Sequence, residues 1–491
     1  MHKDWLTNDK KFYPLTTQQL GMWNIEAVYP DTSIGVISGT VFRRESIDFK
    51  LLEKAINLCI ESNDSFQLRV ILKDQNPMQY IDKYAYKKFE WLEFKSQQEL
   101  DEWDNANTYK PFNLTKSELY EFSLFSVDGL KAGFYFKLHH LICDAWTIVI
   151  MTNQIIDYYN KLKEGIDFSI STMPSYLDFI DKENEYFNSK AFINNKEFWD
   201  QKFETYPKFN ILKPYIGIKS IKANRKTFIL NKELTKLVYD FCNEFKTTPF
   251  TYFIAILNLY LSKISLKDDI VIGSPILNRS NAKDKSTTGM FINIIPMRFD
   301  IDGNLDFSEF VNYIGKEIRQ YLKNQKYPFD FLLQDFKKKH GSDKIYDVVF
   351  SYQNSKLNKD IFTDDYDNHW DFNGYQTESL CIHVDDRNNT GEYVFNFDYL
   401  VDAFTEEEIN EVYDYFTNLI QATVTKPNNK LSCLSLLSQK QVEKMLFGFN
   451  NNKVDIPKQK VFHQIFEENA EKTPDKIAVW CNERSITYSE L

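Results

Sequence analysis

Two hydrophobic rhythms alternate along most of the chain's 491 residues. SIDFKLLEKAINLCIE places Leu51, Leu52, Ala55, Ile56 and Cys59 at helical spacing behind Asp48, a residue type that caps helices. SFQLRVIL then alternates as a strand does. KAGFYFKLHHLI predicts a second strand, and TIVIMTNQIIDYYNKL a helix with Asp144 as its N-cap. A charged, aromatic stretch, 176–204, reads as helical and joins two halves. Beyond it come a strand, RKTFIL, and two helices, KELTKLVYDFCNEF and PFTYFIAILNLYLSKI. Five more strands follow: DIVIGSPIL, MFINIIPMRFDI, YDVVFSYQ, SLCIHVDD and EYVFNFDYL. The helix TEEEINEVYDYFTNLIQATV closes this part, with Thr405 and Glu408 spaced for a capping box. The halves share a coarse order of strands and helices, which allows a pair of related α/β lobes. From about Leu434 the chain turns polar, and GFNNNKVDIPKQK reads as a linker. Residues 461–491 begin a new helix and strand, too few residues to bury a core of their own.

Composition narrows the classes. Aromatic residues reach 16%, with 41 Phe and 29 Tyr, so the cores are expected to be aromatic-rich. The net charge is −11 without a basic block, which disfavours nucleic acid and anionic membrane surfaces as partners. The longest apolar-rich run, Phe253–Leu261, is broken by Asn258 and is too short to span a bilayer. Six cysteines, at 59, 143, 242, 381, 433 and 481, form no CxxC pair and show no zinc spacing. With no apolar signal segment at the N-terminus, the sequence predicts a soluble, cytoplasmic protein with free thiols.

Of only seven histidines, two stand side by side in HHLICDAW, where the strand meets the helix. Neighbouring strand residues point to opposite faces, so one ring is expected to be buried and the other to face a site. Adjacent histidines do not match the helical spacing of a metal site. No GxSxG motif supplies a nucleophile, and Cys143 lies in an apolar turn with no base beside it. A histidine without a nucleophile suits direct attack of one bound substrate on another, with imidazole accepting or orienting a proton. Taken alone, the residues fit two core histidines equally well.

The surroundings add more. HHLICDAW resembles the HHxxxDG motif of condensation domains of non-ribosomal peptide synthetases, which have the chloramphenicol-acetyltransferase-like fold. YPLTTQQLGMW (Tyr13–Trp23), NDSFQLRV (Asn63–Val70) and SYLDF (Ser175–Phe179) are similar to the family's motifs in the same order. So are IGSPILNR (Ile272–Arg279), GMFINIIPMR (Gly289–Arg298) and NQKYPFDFLL (Asn324–Leu333). The resemblance implies an α/β fold of two such lobes forming a V-shaped pseudo-dimer. It places the N-terminal lobe at 12–175, the C-terminal lobe at 176–437, a linker at 438–460 and the start of an adenylation domain at 461–491.

It also implies a chemistry. An acyl thioester enters from one side, and an aminoacyl group on the phosphopantetheine arm of a carrier protein enters from the other. The amine attacks the donor carbonyl and an amide forms. His140 takes the position of the catalytic histidine, His139 a structural one, and Asp144 holds the turn by pairing with Arg279. Ala145 stands where the family has glycine, a harmless exchange if it opens the helix. Trp146 and Phe350 are expected to wall an acyl tunnel; Asn293 and Tyr327 come from motifs of the second lobe, and Asn293 is one candidate for a polar group within a carrier arm's reach of His140. No cofactor is expected to bind directly; coenzyme A arrives as part of the donor. YPDTSIGVISGT, LNRSNAKDKSTTGMF and HVDDRNNTGEYVFNFDY look closest to starter condensation domains. The short leader before Tyr13 agrees with an opening domain fed by acyl-CoA or an acyl carrier protein, with an adenylation domain and carrier protein downstream. An ordinary condensation domain fed in trans, a free-standing acyltransferase and a non-catalytic platform remain as alternatives.

Overall fold

The computed structural model describes residues 6–7, 10–129, 131–170, 173–213, 220–358, 366–387, 391–449, 460–482 and 484–491. The chain divides into two compact units, Met1–Leu436 and Leu437–Leu491.

Two mixed sheets organise the first unit. The first sheet has the order Tyr366–Trp370, Val36–Arg43, Lys131–His139, Tyr120–Val127, Glu90–Phe94, antiparallel except for its last pair. Its central strand, Lys131–His139, is covered on both faces. Phe134, Phe136 and Leu138 join the core made with helices Phe49–Ser62 and Ala145–Lys163. Tyr135 lies on the other side, with Leu100 and Trp103 of helix Gln97–Thr108. That double cover explains why the strand is apolar at nearly every position.

The second sheet has six strands: Ala223–Ile229, Val394–Leu400, Leu380–Asp385, Val348–Gln353, Asp269–Ile276, Asn293–Asp300. One face packs on helix Pro249–Ser265, which Thr248 caps and Pro249 opens. This helix is apolar all round because helices Lys232–Glu244, Phe307–Lys323 and Glu406–Thr425 enclose it. The expected capping box at Thr405 and Glu408 is present. The stretch 176–204 is two helices, Leu177–Phe187 and Lys190–Lys202, because the Ser189 hydroxyl accepts the Phe192 N–H and starts a new helix there.

Several elements escape the sequence reading, among them Gln97–Thr108, Tyr120–Val127 and Tyr366–Trp370. The last carries a topological consequence. It belongs to the second half of the sequence yet pairs with Val36–Arg43 at the edge of the first sheet. The segment after it stays there: Asn373 Nδ2 donates to the carbonyls of Ile34 and Val36, both at 3.1 Å, and Asp371 N–H donates to Ser38 at 3.1 Å. The stretch expected as the second lobe therefore lends a strand to the first.

In the second unit, helix Phe462–Lys472 and the hairpin Ile477–Cys481/Arg484–Thr487 leave Phe462 86% and Trp480 71% exposed. Of the expected linker 438–460, residues 450–459 lie outside the described residues, and Gln439–Glu443 and Lys444–Gly448 are helical. Among the described residues no helix is long and apolar enough to cross a membrane.

Where the crossing segment meets the first lobe, the carboxyl groups of Asp371 and Asp104 lie close together in a buried setting. Burial, together with the nearby Asp371 charge, raises the Asp104 pKa. The native state then holds a proton that the unfolded chain releases near pH 4, so this pair lowers stability progressively as pH rises above that value. D104N is expected to be more stable than the parent, with a gain in denaturant midpoint that grows from pH 5 to pH 8. A gain independent of pH would contradict the raised Asp104 pKa.

Candidate active site

The strand that carries the histidines ends abruptly. His140 N–H donates to Gly35 O at 2.8 Å, and Ile142 N–H folds back onto His139 O at 3.0 Å. Asp144 then takes an extended conformation and caps the next helix, its Oδ1 accepting Thr147 N–H at 2.9 Å. The two rings diverge, as the alternation of a strand requires.

His139 is fully buried. Its Nδ1 accepts the Leu141 N–H at 3.1 Å, so Nε2 carries the proton and donates to Glu26 Oε1 at 3.0 Å. Glu26 also accepts the Gly35 N–H at 3.1 Å. A Cβ on Gly35 would collide with both Glu26 Oε1 and His139 Nε2, so close approach requires glycine here.

His140 keeps part of its ring open. Its Nδ1 lies 3.2 Å from the Cys143 carbonyl, which can only accept. Nδ1 therefore carries the proton, and Nε2 is left as an acceptor. Burial, and then the neighbouring His139, push its pKa down to about 4, so the imidazole is neutral at physiological pH. Cys143 is not a rival nucleophile: its thiol donates to His139 O at 3.4 Å, and burial pushes its pKa well up.

Asp144 Oδ2 forms an ion pair with Arg279 Nη1, and neither side chain is exposed. The same oxygen accepts Phe291 N–H at 3.1 Å. Arg279 Nε donates to Asp284 O at 3.1 Å, and Nη2 to Thr287 O and Gly289 O at 3.2 and 3.3 Å. Its guanidinium lies 4.0 Å from the Phe291 ring centroid. Gly289 N–H donates to Thr147 Oγ1 at 3.0 Å, a second tie between the motif helix and the loop 279–291. Tyr176 meets the same loop, its hydroxyl donating to Met290 O at 2.7 Å. The motifs around Asn63, Ser175, Arg279 and Gly289, far apart in sequence, thus converge beneath the histidine turn.

The other expected residues separate. Ala145 is the first helical residue and has no positive φ, so alanine is at ease there. Trp146 is part-exposed and donates its Nε1–H to Lys285 O at 2.8 Å, reaching across to the second half. Asn293 Nδ2 donates to Gln325 O at 2.8 Å and Tyr327 O at 3.0 Å, which ties down the loop before helix Phe329–His340. The Tyr327 hydroxyl turns to Asp335 at 3.0 Å. Phe350 is 0% exposed, in the core beside Phe250.

Glu26, Gly35 and Gln19 escape the sequence reading. Gln19 Nε2 donates to Leu141 O at 2.7 Å, bracing the turn from the opening helix Thr17–Val28. Glu26 lies 113 residues from His139, and no local pattern links the two.

The fold and this motif turn define a class. A family model described as the condensation domain matches residues 9–446, and the chain belongs to that family. The chain is 32% identical to surfactin synthase subunit 1 of Bacillus subtilis (strain 168), over 98% of its own length and 14% of the relative's. It is 29% identical to a plipastatin synthase protein of the same organism, over 98% of this chain and 19% of that one. The chain thus spans less than a fifth of these synthetase proteins. Among solved structures, a mutant starter condensation domain of rhizomide synthetase in complex with C8-CoA matches with a TM-score of 0.76 at 20% identity, covering 87% of this chain and 98% of that one. The first condensation domain of the calcium-dependent antibiotic synthetase, in complex with a substrate analogue, matches with a TM-score of 0.75 at 13% identity, covering 88% and 100%. The fold is accordingly the two-lobed chloramphenicol-acetyltransferase-like one.

Removing one partner of a buried pair typically costs ~3–5 kcal/mol, because the other charge is left uncompensated. D144A is expected to lower the melting temperature strongly, whereas H140A leaves it nearly unchanged at pH 7.5; equal losses would contradict the separate roles. His140 also has a pH signature. The unfolded chain takes up this proton near pH 6.5 and the native state only near 4, so stability falls as pH drops through that window. H140A is expected to flatten that part of the stability profile, measured by denaturant titration at pH 7.5, 6 and 5. An unchanged slope would show that His140 is not the group held neutral.

Proposed function

We propose that this domain forms an amide by N-acylation. An aminoacyl group on the phosphopantetheine of a carrier protein is the acceptor, and a fatty acyl thioester, acyl-CoA in the first instance, is the donor. The observation that carries this reading is His140: a neutral, part-open imidazole whose Nδ1 is committed to Cys143 O, leaving Nε2 as acceptor. An attacking amine must present its lone pair to the donor carbonyl and shed a proton. Nε2 can accept a hydrogen bond from that amine, aim the lone pair and take the proton; the C–N bond forms, the thioester C–S bond breaks, and the departing thiolate leaves as the free thiol with that proton. Such a group typically contributes ~10²–10⁴-fold. Holding two thioester-borne substrates together contributes further, since attack then becomes effectively unimolecular. No covalent enzyme intermediate is needed, in keeping with the buried, inert Cys143.

The starter role draws support from the motif variants in the sequence, from the likeness to surfactin and plipastatin synthase proteins, and from a structural neighbour that carries C8-CoA. Residues 461–491 agree with an adenylation domain downstream, and the reading places the protein in the cytoplasm with its thioester substrates.

The test offers acyl-CoAs of rising chain length to one aminoacyl carrier protein and follows the product by mass spectrometry. Burial of each methylene is worth about 0.8 kcal/mol, so a few added carbons are expected to tighten apparent affinity by one to two orders of magnitude until the site is full. H140A is expected to lose at least ~10²-fold in rate. Transfer only from a peptidyl or aminoacyl carrier, and from no acyl-CoA, would assign the domain to ordinary peptide-bond formation.

A further inference from the structure

The opening helix Thr17–Val28 buries two side chains, and both are polar: Gln19 and Glu26. They stand seven residues apart, two turns along the helix and therefore on one face. Each reaches the histidine turn. Gln19 Nε2 donates to Leu141 O at 2.7 Å, and Gln19 is itself held by a reciprocal pair of amide bonds with Gln79, at 2.9 and 2.8 Å. Glu26 reaches the residues before it. Its Oε1 accepts the Gly35 N–H at 3.1 Å, and the Gly35 carbonyl in turn accepts the His140 N–H at 2.8 Å. The same Oε1 accepts the His139 Nε2–H at 3.0 Å, and His139 Nδ1 accepts the Leu141 N–H at 3.1 Å. One carboxylate oxygen thus bears on His140 through its own backbone N–H and through the residues on either side. A helix that served stability alone would turn its apolar side chains inward. Here Leu20 is exposed and Met22 and Trp23 are part-exposed, while two polar chains occupy the interior.

We propose that Glu26 is a positioning residue for the acylation: through Gly35 and His139 it fixes the backbone of His140, and with it the aim of Nε2 at the attacking amine. The inference rests on the reading that His140 acts on the acceptor amine. Without Glu26, the His139 Nε2–H and the Gly35 N–H would be left in the interior with no acceptor, a state that proteins relieve by moving the donors. Relief comes from turning the His139 ring or withdrawing the Gly35 backbone. Either movement loosens a bond that holds the turn: His139 Nδ1 to Leu141 N–H, or Gly35 O to His140 N–H. A misplacement of about 1 Å in a reacting group can cost ~10²-fold in rate.

The test compares E26A, E26Q, H140A and the double variant E26A/H140A with the parent, all as the full chain. Rates are measured with an acyl-CoA and an aminoacyl carrier protein, and NMR of the histidine ring nitrogens follows the His140 tautomer. E26A is expected to lower kcat ten- to a hundredfold, with KM for both substrates within twofold of the parent. E26Q is expected to restore kcat to within threefold, because an amide oxygen can accept the same two N–H groups. In the H140A background, E26A is expected to cause less than a twofold further loss, since the group it positions is gone. The parent is expected to show one His140 tautomer, Nδ1–H, and E26A a mixture of two. E26D keeps the charge and withdraws the acceptor by one methylene; it is expected to lose at least fivefold in kcat and supplies the same comparison where E26A does not fold. Parent kcat and an unchanged His140 spectrum in a folded E26A or E26D would overturn the inference. So would equal losses from E26A with and without His140, which would leave Glu26 as a stabilising residue only. The spectroscopic arm needs no turnover, so a parent in which Glu26 controls the His140 tautomer but which acylates nothing would support the positioning of His140 while refuting the proposed function.

Discussion

The site hangs on one buried ion pair. Asp144 caps the motif helix with one carboxylate oxygen and meets Arg279 with the other, and Arg279 gives its remaining donors to carbonyls of its own loop and to the Thr147 hydroxyl. A fully buried pair gains little net stability over apolar packing, since both charges lose their water. Its effect is geometric: neither partner can withdraw without stranding the other. The turn that presents His140 is thereby locked to the loop 279–291 of the second half, and the loop is locked in return by Thr147 and Tyr176.

Above that lock, two adjacent histidines do opposite work because a strand sends them to opposite sides. His139 is enclosed and saturated, with Leu141 fixing one nitrogen and Glu26 the other. His140 spends one nitrogen on the Cys143 carbonyl and keeps the second open. The hydrogen bonds thus decide both tautomers, and burial decides the charge. A neutral imidazole with a free lone pair suits amine chemistry better than an imidazolium, which would repel the ammonium form of the same substrate and could accept nothing from it.

The halves are joined by more than this site. Tyr366–Trp370 leaves the second half to extend the first sheet, and Asn373 and Asp371 anchor the return path on the strand Val36–Arg43. That arrangement carries Asp371 against Asp104, a pairing of like groups in which burial and the neighbouring charge raise the Asp104 pKa. Strand addition and ion pairing therefore hold the lobes at two separate places, which fixes the seam that the opening helix and helix Phe329–His340 flank.

The sequence by itself determined the local elements and the motif turn. Periodicity is a local property, so Lys131–His139, the helix after Asp144 and the capping box at Thr405 were legible wherever packing reinforces it. The histidine pair was legible because strand alternation alone assigns the rings to opposite faces. The pairing of Asp144 with Arg279, implied by resemblance, stands in the structure. Only the tertiary structure decided which long-range partners complete the site. Glu26 and Gly35 reach His139 from distant segments, Asp330 meets Gly21 across the seam, and Phe350 packs in the core beside Phe250. Nothing in the neighbourhood of those residues along the chain encodes these contacts. They follow from how strands are ordered in a sheet and how two lobes meet, which depends on shape and buried area summed over the whole fold.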